Sequence, residues 1–198
     1  MHRSLMLLAL ILAPTLCTSI RAELPLAAIA NAAPAEGTPP AKALDDLLNM
    51  FEGEMVGAAK TMPADKYNFA PSAAIFVPSQ GTNYPKDIRT FAQQVAHVTQ
   101  ANYFFFSSVT GEAPTVDVKA ISKLTGKDDL IAALQASFAY AHKAIATITP
   151  ENAFIMIKGV DGMHTRATVA SFAVAHGYDH YGQMVEYLRM NGFTPPAM

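Results

Sequence analysis

Apolar residues recur at three- and four-residue steps in four separate stretches of this chain, and that spacing predicts four amphipathic helices. The first covers about 41–60, where Leu44, Leu47, Leu48, Phe51 and Met55 share a face and Asp45, Asp46, Glu52 and Glu54 fall mostly elsewhere. The second covers about 87–109, with Ile88, Phe91, Val95, Val98, Asn102 and Phe105 in one stripe and His97 on its flank. The third covers about 127–148, through Leu130, Leu134, Phe138, Ala141 and Ile145. The fourth covers about 165–190, with Val169, Phe172, Ala173, His176, His180, Gln183, Met184 and Tyr187 on one broad face. Asn191-Gly192 and Pro195-Pro196 stop it, glycine by accepting a left-handed backbone and proline by forbidding resumption.

Between the helices the signals are weaker. Residues 62–86 are polar and carry Pro63, Pro71, Pro78 and Pro85. That connection is long for a helical bundle, so it is expected to cross the bundle or cover a site. Residues 110–126 read as irregular, with a short helical turn in VDVKAISKL. The run AFIMIKG at 153–159 has strand character, followed by a turn at Asp161-Gly162. One strand makes no sheet, so an extended connection is expected there. The fold class that follows is all-α, a four-helix bundle with a long crossover connection.

Composition narrows the picture at the N-terminus. Met1-His2-Arg3 and then LMLLALILAPTL form a cationic start and an apolar run too short for a membrane span, which needs about 20 apolar residues. With small residues after it, and Ile20-Arg21-Ala22 as a cleavage site, residues 1–22 read as a secretory signal peptide. Cleavage after Ala30-Asn31-Ala32, or an uncleaved anchor, are the alternatives. Residues 23–40 are rich in Ala and Pro and read as a flexible tether, leaving 41–198 as the bundle domain. A periplasmic or secreted location is expected. Cys17 is the only cysteine and Leu16 before it does not suit lipidation, so the mature chain has no thiol or disulfide. Of the 198 residues, 51% are hydrophobic and the formal charge is −2, with no basic block. Nucleic acid and anionic membrane surfaces are therefore not expected partners.

The chemistry is concentrated in AHGYDHYGQ. His176 and His180 are four apart, so their imidazoles lie on one helix face within reach of a single ion. Inward-facing polar groups need partners, and here the partner is either a core hydrogen bond or a metal. A metal needs a third ligand. His164 falls three turns before His176, and His142 sits near a helix C-terminus, where the helix dipole already accounts for it. His97 is left as the third candidate, at a depth a partner helix can match. Gln183, one turn past His180, is placed to orient a ligand or bond between helices. Asp179, Glu186 and Glu52 are candidate proton carriers that also fit a solvated surface. Tyr103, Tyr178 and Tyr181 fit helix contacts as well as a ligand role, and Phe104, Phe105 and Phe106 fit the core better than a substrate platform. Glu-x-x-His pairs of di-iron bundles are missing, as are serine-hydrolase, P-loop and dinucleotide signatures.

His97, the run His176-x-x-x-His180 followed by Tyr-Gly-Gln, the finish YLRMNGFTPP and MPADKYNFAP ahead of RTFAQQVAHVTQANYFF together resemble the DinB/YfiT-like family. The resemblance extends over about 41–196. It implies a four-helix bundle with a three-histidine divalent-metal site, His97, His176 and His180 as ligands, zinc or nickel as the ion, and a homodimer. Some members of that family carry out thiol-dependent transfer or isomerisation. An export signal departs from those relatives and counts against a supply of reduced small thiol.

Three imidazoles with an open position form a catalytic rather than a structural arrangement, able to acidify water or polarise a substrate oxygen or sulfur. Two functional expectations follow. One is an exported metal-dependent hydrolase or transferase acting on a small molecule. The other is a non-catalytic metal- or ligand-binding bundle.

Overall fold

The computed structural model describes residues 37–76 and 86–196. The stretch expected to be a signal peptide, with Cys17, the expected tether up to residue 36, and Pro78 and Pro85 lie outside the described residues. Four α-helices account for most of what is described: α1 Pro40–Thr61, α2 Phe91–Thr110, α3 Lys127–Ile145 and α4 Arg166–Met190.

Several helix ends have a visible local cause. Pro40 opens α1, where a missing N–H costs nothing. Thr90 opens α2 through a capping box with Gln93, which sets the start at Phe91 rather than at Asp87 as the sequence suggested. The N–H groups of Phe91 and Ala92 donate to the carbonyls of Phe69 and Tyr67, so the α1–α2 connection serves donors that α2 cannot pair itself. Thr165 and Thr168 make the same reciprocal cap on α4. Gly111, at φ 79°, ends α2 in the left-handed region.

α2 packs against both α3 and α4, and α1 does the same from the opposite corner. The pairs α1/α2 and α3/α4 are thus diagonal. Contacts give the directions. Asp45 near the start of α1 meets His142 near the end of α3, and Lys127 at the start of α3 reaches the end of α1, so those two are antiparallel. Gln94 and Phe105 of α2 meet Gln183 and Phe172 of α4, which are antiparallel as well. Phe51 against Tyr178 and Gly57 against Pro196 make α1 and α4 parallel. Consequently α2 and α3 run the same way, and residues 111–126 must travel the length of the bundle between them. They are the long crossover, which the sequence had suggested for the α1–α2 connection instead. Their 3₁₀ segment Val118–Lys123 lies along α2, pinned where Gln100 Nε2 donates to the Val118 carbonyl at 2.9 Å.

The core is contributed by all four helices, including Leu48, Phe51 and Met55 from α1, Val95 and Phe106 from α2, Leu134 and Phe138 from α3, and Val169, Met184 and Leu188 from α4. Gly177 lets α4 approach α1 closely, since a Cβ there would enter the Phe51 ring. Buried Asn102 donates to Ser137 at 3.0 Å, a polar pin between α2 and α3.

One expectation is corrected. The run near 153–159 does find a partner: β1 Met156–Val160 pairs antiparallel with β2 Met163–Thr165. The Asp161-Gly162 turn joins them with φ 48° and 81°, left-handed at both central positions, as the right-handed twist of a hairpin demands. The partner strand is three residues long, too short to show a period of two. His164 lies in β2 rather than at the opening of α4. Among the described residues, no helix is long and apolar enough to cross a membrane.

Candidate metal centre

Because α2 and α4 are antiparallel neighbours, the early turns of α2 meet the middle and second half of α4. That places His97 opposite His176 and His180. One ring nitrogen from each of the three lies within 4.8 Å of the others. His97 Nε2 and His176 Nε2 are 3.2 Å apart, close to the spacing of about 3.3 Å expected for two nitrogens bound tetrahedrally at about 2.0–2.1 Å from one ion. Ring centroids are 4.4 Å apart for His97 and His180 and 4.7 Å for His176 and His180. Among the described residues, no Asp, Glu or Cys adds a fourth ligand atom within that reach.

All three imidazoles favour the neutral form that a metal requires. Burial pushes His97 down to about 4, helped by the charges of Arg89, His180 and His176. His180 is pushed down to about 4 by burial, then by His176 and Arg89, against an opposing pull from Asp179. His176 is also lowered, mainly by burial, with Asp179 and Asp161 pulling the other way. The donor set fits a divalent ion: three unprotonated nitrogens converging, with one side open.

His180 is held from behind. Its Nδ1–H donates to Gln94 Oε1 at 2.8 Å, and Gln94 Nε2 donates in turn to Gln183 Oε1 at 2.7 Å. Gln183 Nε2 reaches the Asp179 carbonyl and carboxylate at 3.4 Å. This relay fixes the tautomer of His180 and leaves Nε2 with its lone pair facing the other two rings. Gln183 therefore supports the site as expected, but through Gln94. Gln94 itself, 1% exposed, did not stand out in the sequence, because a polar pair 89 positions apart shows no local pattern.

A cavity of about 320 Å³ opens onto the cluster. His97 and His176 form part of its wall, with Ala101, Phe104 and Phe105 from α2, Val118 from the crossover and Asp161 from the hairpin turn. Phe105 packs edge-on to His176 at 5.3 Å. Phe104 and Phe105 are thus site residues rather than simple core, while Phe106 is core. A larger apolar groove of about 560 Å³ lies between the start of α1 and the first half of α4, and contains none of the three histidines. It has almost no polar group with which to do chemistry.

The other candidates lie elsewhere. Glu52 pairs with His142 at 3.0 Å and Glu186 with Arg189 at 2.5 Å. Asp179 is exposed and engaged with Gln183. Tyr103 packs on Tyr140, and Tyr178 packs on Phe51 and Tyr181, away from the cluster. His142 bridges Asp45 and Glu52 instead of merely ending a helix.

A sequence model described as the DinB superfamily matches residues 47–184, which include all three histidines. No curated protein matches the chain.

Proposed function

We propose that this chain, which belongs to the DinB superfamily, holds one divalent ion on His97, His176 and His180 and acts on a small molecule in a hydrolase- or transferase-type reaction. The observation that carries the reading is the convergence of three neutral imidazole nitrogens, from two helices, at the wall of a cavity. Zinc or nickel suits that donor set. A bound ion would supply Lewis acidity toward a substrate oxygen or sulfur.

The chain's own residues supply the rest. Gln94 and Gln183 hold His180 in the tautomer that presents Nε2. Phe105 packs edge-on to His176, and Phe104, Ala101 and Val118 give the cavity beside it an apolar wall. Such walls suit a small substrate with apolar surface. The N-terminal sequence supports export to the periplasm or beyond, with a mature chain that brings no thiol of its own. A homodimer is part of the same proposal.

The test is a panel of small esters, amides and thiol adducts, assayed with metal-loaded and chelator-treated protein. Turnover that follows the metal and disappears in His180→Ala is the expected result. Protein that binds metal fully yet turns over nothing in a metal-dependent way would instead be a non-catalytic binding bundle.

A further inference from the structure

Asp161 is the one carboxylate residue in the cavity wall, and it is not among the three converging ligands. The remaining polar wall residue, Gln100, already donates to the Val118 carbonyl. No lysine or arginine lines the cavity, and among the described residues Asp161 has no ion pair or side-chain hydrogen bond.

The backbone that carries Asp161 is also held in place. It stands on a two-residue turn whose geometry is fixed at both central positions, on a hairpin whose first strand packs against α2. Gly159, at φ 66°, lies so close to the Met163 carbonyl that no Cβ fits there, which locks the strand ends together. An Asp-Gly turn needs Asp, Asn or Gly for its backbone alone. Asn would meet that need without the charge, so the turn explains the residue class but not a charged residue at the exposed edge of an apolar cavity.

Resting on the reading that the histidines form a ligand site, we propose that Asp161 determines its specificity. Its ligands would be small amphipaths that set a protonated amine against the Asp161 carboxylate. Their apolar body lies along Phe104, Phe105 and Val118, and an electron-rich group faces His97 and His176. At about 320 Å³ the cavity is at the small end of the ligand-pocket range of about 300–1,000 Å³, so the body is one ring or a short chain.

The experiment uses the purified full-length protein with three probes of matched body: 2-phenylethylamine, 2-phenylethanol and 3-phenylpropionate. Dissociation constants are measured by titration for the parent chain, for Asp161→Asn, which keeps the turn, and for Asp65→Asn as an exposed control carboxylate outside the cavity. The same samples are measured for metal by elemental analysis, with and without chelator. The amine is expected to bind about fivefold or more tighter than the alcohol to chelator-treated protein, a ratio abolished by Asp161→Asn and kept by Asp65→Asn. Equal affinities, no binding of the amine, or a preference that survives Asp161→Asn would overturn the proposal. Metal content is read separately, so a chain that prefers the amine but holds no metal contradicts only the metal reading.

Discussion

The ring of His180 on α4 donates Nδ1–H to Oε1 of Gln94 on α2 across 2.8 Å, and that contact decides which nitrogen is left for an ion. Because Gln94 Nε2 is occupied by Gln183 Oε1, the amide cannot flip without losing both bonds. Gln94→Leu should therefore weaken divalent-metal affinity by about 10–100-fold while all three histidines remain. Gln183→Leu should cost less, being one step further from the ring. Competition with a chromogenic chelator measures both, and unchanged affinity in Gln94→Leu would remove the relay from the account.

His142 makes a different prediction, for stability. Burial disfavours its charged form, but hydrogen bonds to Asp45 at 2.5 Å and Glu52 at 3.0 Å, with the charges of both acids, outweigh that and raise its pKa. A group whose folded pKa is raised stabilises fully below its unfolded value of about 6.5 and loses that contribution as pH rises through the folded value. Urea midpoints of the parent chain and His142→Gln should thus differ most near pH 6 and converge as the pH is raised toward 9. A gap that widens with pH would contradict the α1–α3 clasp.

Gly177 tests the spacing of α1 and α4. A methyl group there would overlap the Phe51 ring, which is itself packed against Phe138 and Tyr178. Gly177→Ala should destabilise by about 1–3 kcal/mol despite alanine's better helix propensity. Chemical denaturation gives the value, and a gain in stability would mean that the helices are further apart than described here.

Lys127 closes the end of α1 from α3. Its Nζ donates to the carbonyls of Lys60 and Met62 at 2.7 and 2.8 Å and sits 5.9 Å above the Tyr67 ring. Lys127→Met keeps the stem and removes the charge and both bonds. About 1–2 kcal/mol should be lost in urea denaturation, and no loss would show that water replaces the ammonium at no cost.

Much of this architecture was legible in the sequence because helix periodicity is local. Leu44 through Met55, Leu130 through Ile145 and Val169 through Tyr187 lie on buried faces, and α4 ends where Asn191-Gly192 predicted. His176 and His180 were legible for the same reason, since their spacing alone puts them together. His97 could be reached only by elimination, because its place depends on how α2 crosses α4. Gln94 and Asp161 were out of reach as site residues. Gln94 acquires its role from a residue on another helix, and Asp161 from a hairpin whose second strand, Met163–Thr165, is too short to announce itself. Thr90 and Gln93, by contrast, carried a capping-box signal for the start of α2 that the acidic Asp87 upstream obscured.

The central claim is that His97, His176 and His180 hold one ion together. Elemental analysis of the purified full-length protein, beside His97→Ala, His176→Ala and His180→Ala, tests it most directly. About one zinc or nickel per chain in the parent, with a loss of affinity of at least about 100-fold in each variant, is the predicted result. A parent chain that takes up no divalent ion when offered a slight excess, or that keeps it after His97→Ala, would contradict the account.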